Sequence, residues 1–315
     1  MTAPEPAAQP PAGGGASQAG APGAPCAGVT QAAFGRRSPA IVTANRPLGS
    51  LGWLTVQVPG WPGAKPGQFV MLQAVDSCCF LGRPLSVAQQ DGDTISFLIA
   101  PVGTGTRELC GLRRGDLLWV LGPLGNGFDL EALSTGPGRL VAVGGGVGAA
   151  PFPLLLSTLA ASAAEGPTAR PEEVLILLGF RDGSQAAGAG PIAEAAAALE
   201  AAGISCPGEV VTEDGSIGRP ERITDALWRH LLPGDKLAVC GPSAMTQAVA
   251  KVCASMPGVR VWFSLEAGMA CGVGSCHGCV VPLADGTNAR VCREGPVFTA
   301  ESLFARGAFG GGGEA

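Results

Sequence analysis

Four cysteines, Cys271, Cys276, Cys279 and Cys292, constrain this chain more than any other feature. They stand as C-x4-C-x2-C followed by a more distant C, in the run MACGVGSCHGCVVPLADGTNARVC. Four thiolates in so short a stretch can close around two bridged irons with no ligand missing, and the spacing is the plant-type arrangement of a [2Fe–2S] cluster. Zinc is the rival, because it also takes four thiolates, often as two C-x2-C pairs. Only one such pair exists here, and the first cysteine lies five positions ahead of it. Gly272, Gly274 and Gly278 alternate with the ligands. They let the loop wrap closely and free backbone N–H groups to point at sulfur. With four thiolates present, His277 reads as a solvent-facing loop residue.

Composition narrows the setting. The 315 residues suffice for two domains with additions, and 46% hydrophobic content supports a sizeable core. Only 14% of residues are charged, with 50 Gly and 27 Pro, which points to many turns and close backbone approaches. A net charge of −5 argues against a nucleic-acid partner, and no apolar run looks long enough to span a bilayer. The 11 cysteines are odd in number and lack the spread of a secreted disulfide scaffold, so a reducing cytoplasm is expected. There Cys78, Cys79, Cys110, Cys206, Cys240 and Cys253 read as free thiols packed as small buried hydrophobes. Residues 1–35 are rich in Ala, Pro and Gly and nearly uncharged, which reads as a disordered tail without a targeting signal. Residues 307–315 read as a flexible end.

Between Pro39 and Leu121 the pattern is short and β-like: WLTVQV, QFVMLQ, PLSVA, TISFLI and LLWVLG, most of them separated by Gly, Pro or Asp turns. Many short strands without intervening helices predict a small antiparallel barrel. From Arg139 the pattern changes. RLVAVGG, EVLILLGF, EVVT, KLAVCG and VRVWFS are buried-strand runs alternating with helical stretches such as Ala149 to Ala164, which predicts a parallel sheet with helices on both faces.

Three further motifs carry chemistry. Arg83-Pro84-Leu85-Ser86 lies on a barrel strand. A flavin dinucleotide needs a cation for its pyrophosphate and a donor near the isoalloxazine edge, and this strand offers both; an exposed Arg beside a turn-forming Pro is the plainer alternative. Gly103-Thr104-Gly105-Thr106 is a small-residue turn whose N–H groups could approach a pyrophosphate. Gly144-Gly145-Gly146-Val147-Gly148 follows the first buried strand, where a backbone free of side chains and a helix N-terminus attract phosphate. It departs from G-x-G-x-x-G in its last glycine. Cys240-Gly241-Pro242 ends a later strand at the edge where open α/β sheets bind ligands, so Cys240 stands either near a nicotinamide or in packing. Arg181 could meet a 2′-phosphate, weakened by Asp182, whereas Glu213-Asp214 favours an unphosphorylated ribose.

GRPLSVA, GTGTREL, GPLGNGF, VAVGGGVGAAP, LGFRD, CGPSAM, SLEAGMACGVGSCHGCVV and RVCREGPVF occur in this order. Together they resemble the electron-transfer subunits of NAD-dependent (type B) dihydroorotate dehydrogenases, within the ferredoxin–NADP reductase superfamily. The resemblance implies a multi-domain β + α/β fold: a flavin-binding antiparallel barrel at 36–134, an NAD-binding α/β domain at 135–263 and a [2Fe–2S] segment at 264–306. It implies FAD contacts from Arg83, Pro84, Leu85, Ser86, Ile99, Ala100, Pro101, Gly105 and Thr106. Gly144, Gly145, Gly146, Gly148, Cys240 and Gly241 are the expected NAD contacts, and the four cysteines are the expected cluster ligands. The implied partner is an FMN-containing catalytic subunit that oxidises dihydroorotate in pyrimidine (UMP) synthesis, assembled two plus two. No acid–base side chain of this chain is required. The same layout serves subunits of sulfur reductases, hydrogenases and ferredoxin:NAD(P) oxidoreductases. The chain departs from the resemblance in having no Tyr to stack on a flavin.

Overall fold

The computed structural model describes residues 36–165 and 170–304. The tails read at 1–35 and 307–315 lie outside the described residues.

Seven strands build the first sheet: β1 (Arg36–Leu48), β2 (Leu51–Gln57), β3 (Phe69–Ala74), β4 (Arg83–Ser86), β5 (Gln89–Asp91), β6 (Thr94–Ile99) and β7 (Leu117–Leu124). They run antiparallel in the order β4-β3-β7-β1-β2-β6-β5. The two edge strands are consecutive in the chain, since β4 ends at Ser86 and β5 starts at Gln89. A sheet whose edges are that close in sequence has to curl, and its inner face encloses Val42, Leu54, Val70, Phe97, Leu118 and Val120. Alternation along β7 shows the period: Leu118, Val120, Gly122 and Leu124 are buried and the residues between them are more open.

Two local features differ from expectation. β1 carries Pro39 and Pro47, which demote a strand in sequence terms. Residues 36–40 pair with β7 alone, Ile41 with both neighbours, and residues 44–48 with β2 alone, so each proline sits where the strand has a partner on one side, and its missing N–H is tolerated. The strands are also not free of helices. The turn at Gly103 to Thr106 opens α1 (Thr104–Gly111), where Thr106 Oγ1 accepts from Gly103 N and donates to Gly103 O, both at 3.0 Å.

After α2 (Leu130–Ser134) comes the second sheet, made of β8 (Leu140–Gly145), β9 (Val174–Phe180), β10 (Gly208–Thr212), β11 (Lys236–Cys240) and β12 (Arg260–Ser264). These are parallel, in the order β10-β9-β8-β11-β12. Helices α3 (Phe152–Glu165) and α5 (Gly190–Ala201) cover one face, with the short α4 (Gly183–Ala186) before α5. Helices α6 (Ile223–His230) and α7 (Ser243–Ala254) cover the other. The stretch Gly146–Ala164 is 19 residues long and apolar enough to cross a bilayer, which corrects the expectation that no such run exists. Here it serves as core: Phe152, Leu155, Leu156 and Leu159 pack with Leu51, Trp53, Leu98 and Phe128 of the barrel, so the two halves share one interior.

The C-terminal segment adds the hairpin β13 (Val280–Pro282) and β14 (Asn288–Arg290), then β15 (Val297–Thr299) and α8 (Ala300–Leu303). β15 extends the parallel sheet by pairing antiparallel to β12. Phe69, Met71 and Leu124 of the barrel pack with Cys279, Val291, Cys292 and Phe298, so this segment is fastened to both halves.

Candidate functional site

The cysteine loop follows β12. Gly272 and Gly274 take φ of 71° and 84°, and His277 a φ of 57°. A β-carbon on Gly272 would stand 2.7 Å from Met71 Cγ, so the loop lies tightly on β3. The expected backbone donors are present. Cys276 N points at Cys271 Sγ (3.5 Å), Gly278 N at Cys276 Sγ (3.4 Å) and Cys292 N at Cys279 Sγ (3.4 Å). The sulfurs contact in two pairs, Cys271 with Cys276 and Cys279 with Cys292. Among the described residues, no three of these sulfurs lie mutually within 4.8 Å. A single tetrahedral zinc would gather all four to about 3.8 Å from one another; two pairs suit two irons. Burial pushes the Cys271 thiol up, but N–H groups of Cys276 and Val273 outweigh it and hold the thiol down at about 6, ready as a thiolate ligand. Cys276 and His277 are exposed, while Cys279 and Cys292 are buried. Arg290 braces the loop: Nη1 donates to Gly274 O (3.0 Å) and Nε to Glu294 (3.0 Å).

A cleft of about 370 Å³ lies where the barrel, the parallel sheet and the start of the C-terminal segment meet. Pro84, Leu85, Ser86, Ala100 and Thr106 line it from the barrel, Gly148 and Cys240 from the α/β half, and Ser264, Glu266 and Met269 from the stretch leading to the cysteines. Arg83 and Gly105 are not in the lining themselves; each precedes a residue that is, Pro84 and Thr106, and a β-carbon on Gly105 would stand 3.0 Å from Arg83 Nε. That Nε is buried with no hydrogen-bond partner, the kind of orphaned donor that an anion satisfies. A flavin dinucleotide fits this combination of apolar wall, hydroxyl and unsatisfied cation. Ile99 is fully buried inside the barrel, so its side chain serves packing there and does not reach the cleft. Pro101 is not part of the lining; its carbonyl accepts from Arg107 Nη1 (3.4 Å).

Sheet topology explains why Cys240 is in the wall. Register sets Cys240 opposite Gly144 on β8 and Ser264 on β12, at the C-terminal edge where strand order reverses. Such switch points are where open α/β sheets leave a crevice. Burial, reinforced by the Glu266 charge, pushes the Cys240 thiol up to about 12, so it stays protonated. A second pocket of about 480 Å³ opens beyond it, lined by Gly145, Gly146, Arg181, Glu213, Arg222 and Met245 among others. Gly144 and Gly241 are not in either lining; they allow close packing against Phe152 and Met245. Asp182 caps α4 by accepting from Gln185 N (2.9 Å), and Asp214 holds Ser216 N (2.9 Å), so both carboxylates are engaged locally. Glu213 and Arg181 face the pocket.

Sequence reasoning missed Glu266 and Arg222, each of which lines a pocket. Glu266 had a signal, its place just past the last parallel strand; Arg222 had none, because it precedes a helix far from any motif. The uniform reading of the remaining cysteines also needs correction. Cys206, Cys240 and Cys253 are buried, but Cys79 and Cys110 are only partly so and Cys78 is exposed on a loop.

Comparison with known proteins follows the same lines. The iron–sulfur cluster binding domain of dihydroorotate dehydrogenase B matches residues 266–304. The chain is 36% identical over 245 residues to the dihydroorotate dehydrogenase B (NAD(+)) electron transfer subunit of Listeria monocytogenes, spanning 76% of this chain and 88% of that one. It is 38% identical over 243 residues to the subunit of the same name from Bacillus caldolyticus, spanning 75% and 85%. Among solved structures, an NADH-dependent reduced ferredoxin-NADP oxidoreductase studied for flavin-based electron bifurcation superposes with a TM-score of 0.63 at 25% identity, covering 84% of this chain and 88% of that one. A ferredoxin NADP+ reductase from Neisseria gonorrhoeae, with FAD and NADP bound, superposes at 0.56 and 20% identity, covering 70% and 91%, and shares the fold. More than a third of the aligned residues are shared along most of both chains, the cluster segment matches its own domain family, and this chain belongs to the family of dihydroorotate dehydrogenase B (NAD(+)) electron transfer subunits.

Proposed function

We propose that this chain takes single electrons from a partner subunit that oxidises dihydroorotate on FMN and passes them in pairs to NAD+, in the synthesis of UMP. The observation that carries this reading is the 370 Å³ cleft, walled at once by the flavin-type strand β4, the Cys240 turn and the stretch leading to the cysteine loop. When bound, FAD exchanges electrons singly or in pairs, and a [2Fe–2S] cluster supplies them singly.

The chain's own residues hold and orient. Arg83 meets the flavin pyrophosphate, and Pro84, Leu85, Ser86, Ala100 and Thr106 shape the flavin wall. Gly145, Gly146 and Gly148 let the phosphates of NAD+ approach the backbone. Cys240 supports the nicotinamide side as a protonated thiol. Cys271, Cys276, Cys279 and Cys292 hold the cluster, with the exposed stretch from Ser275 to Gly278 turned to the partner. Two copies of each subunit form the assembly. Glu213 on the pocket wall favours NAD+ over NADP+, and the free thiols suit a reducing cytoplasm.

The test is NAD+ reduction by dihydroorotate in the complex with the dihydroorotate-oxidising subunit. Cys276→Ser abolishes it while NADH oxidation by an artificial flavin acceptor persists; undiminished NAD+ reduction without the cluster contradicts the reading. The 25% identity to a reduced ferredoxin-NADP oxidoreductase supports a second reading, in which ferredoxin is the donor. Turnover with reduced ferredoxin and none with the dihydroorotate partner selects it.

A further inference from the structure

Cys78 and Cys79 sit on the loop between β3 and β4, outside the four-cysteine segment. Gln73 Nε2 pins this loop through the carbonyls of Cys79 (2.9 Å) and Phe80 (3.1 Å). Glu108, on α1, reaches the same point from the other side. Its carboxylate accepts from Ser77 Oγ (2.5 Å), Cys78 N (3.3 Å) and Cys78 Sγ (2.7 Å). The two sulfurs and a Glu108 oxygen all lie within 4.8 Å of one another. Around tetrahedral zinc, two thiolates and a carboxylate oxygen stand about 3.5–3.8 Å apart, so the Cys78 sulfur and the Glu108 oxygen part from 2.7 Å to admit an ion.

We propose that Cys78, Cys79 and Glu108 form a second metal site on this chain, taking a single Zn2+ or a metal of the same thiophilic, tetrahedral class, with water in the fourth position. Two thiolates select a borderline-soft cation over Mg2+ or Ca2+, and three protein ligands with one open position is a common zinc arrangement. A loop acceptor role for Glu108 accounts for Ser77 and the Cys78 N–H. It accounts for the Cys78 S–H as well, but not for the Cys79 sulfur standing within 4.8 Å of both that sulfur and a Glu108 oxygen. The site joins the loop that runs into Arg83 to the helix that carries Gly105 and Thr106, so a bound cation ties together the two elements beside the orphaned Arg83 Nε.

The test uses full-length protein with its cluster and FAD in place, so that the four loop cysteines are already occupied. Zn2+ is titrated against a chromophoric chelator into wild type, the Cys78→Ser/Cys79→Ser double variant and Glu108→Gln. Wild type takes up one more zinc per chain than the double variant, and Glu108→Gln binds it about tenfold more weakly. Iron content and visible spectrum stay the same in all three, which shows that the variants are folded. With Cd2+, wild type gains sulfur-to-cadmium charge-transfer absorption that the double variant lacks. Equal zinc uptake by wild type and the double variant overturns the proposal, as does zinc uptake matched by iron loss.

Discussion

The Cys240 carbonyl oxygen stands 2.5 Å from the place a β-carbon on Gly148 would occupy. The contact joins the two strand-to-helix turns of the switch point, and the obstacle is backbone rather than a movable side chain. Gly148→Ala therefore parts the turns. Overpacking of this kind costs about 1–3 kcal/mol. We expect a folded variant with a lowered melting temperature and a KM for NADH raised about tenfold, because 1.4 kcal/mol is a factor of ten. Unchanged KM in a steady-state assay with an artificial acceptor contradicts the role given to this turn.

Arg83 presents an unsatisfied buried Nε beside the cleft, while its Nη2 donates to Leu81 O (2.7 Å). A charge-assisted bond to a phosphate is worth about 1.5–3 kcal/mol. Arg83→Ala is expected to weaken FAD binding by about 10- to 100-fold. The measurement is flavin retained after desalting, followed by FAD titration of the stripped protein. Full retention of FAD by the variant counts against Arg83 as the pyrophosphate partner.

Glu266 is an exposed residue on the cleft wall, yet partial burial of its carboxyl raises it above the ordinary value of 4.5. A carboxyl raised on folding contributes stability that is whole below the unfolded value and is lost as pH rises through the folded value. Glu266→Gln removes the ionisation. The variant should match wild type well below pH 4.5 and melt progressively higher than wild type as pH rises past it. Thermal melts across that range check the slope; a variant that is relatively less stable at alkaline pH reverses the sign and defeats the assignment.

Glu213 shares its pocket with Arg181 and Arg222. A carboxylate there accepts from ribose hydroxyls and repels a 2′-phosphate, and two unit charges about 4 Å apart near a surface interact by about 4 kcal/mol before screening. Glu213→Ala leaves Glu221, itself paired with Arg229, as the remaining carboxylate beside Arg181 and Arg222 in that pocket. The ratio of kcat/KM for NADH over NADPH should fall by at least about tenfold. An unchanged ratio places dinucleotide selection elsewhere.

Much of this was legible in the residues because it is local. Ligand spacing lies within one loop, the apolar runs of β8, β9, β11 and β12 are continuous, and glycines mark the turns that follow. What escaped depended on distant pairing. β1 tolerates two prolines because its neighbours change halfway along it, which its own composition does not reveal. α1 begins with alternating Gly and Thr and looks like a turn; Leu109, buried in the barrel interior, makes it a helix. β15 belongs by sequence to the cysteine segment and by hydrogen bonding to the parallel sheet. The sequence does not show which face of β6 Ile99 takes; its side chain packs inside the barrel while Leu98 packs on the other face. Cys78 and Cys79 were indistinguishable from core thiols until Glu108 was brought beside them.

The central claim is that the two cysteine pairs hold bridged irons in a chain that also carries flavin. Anaerobically purified protein should contain about two irons, about two acid-labile sulfides and about one FAD per chain, with all the iron lost when Cys271, Cys276, Cys279 and Cys292 are replaced together by Ser. Zinc in place of iron at those four sulfurs, or iron that survives their replacement, contradicts it.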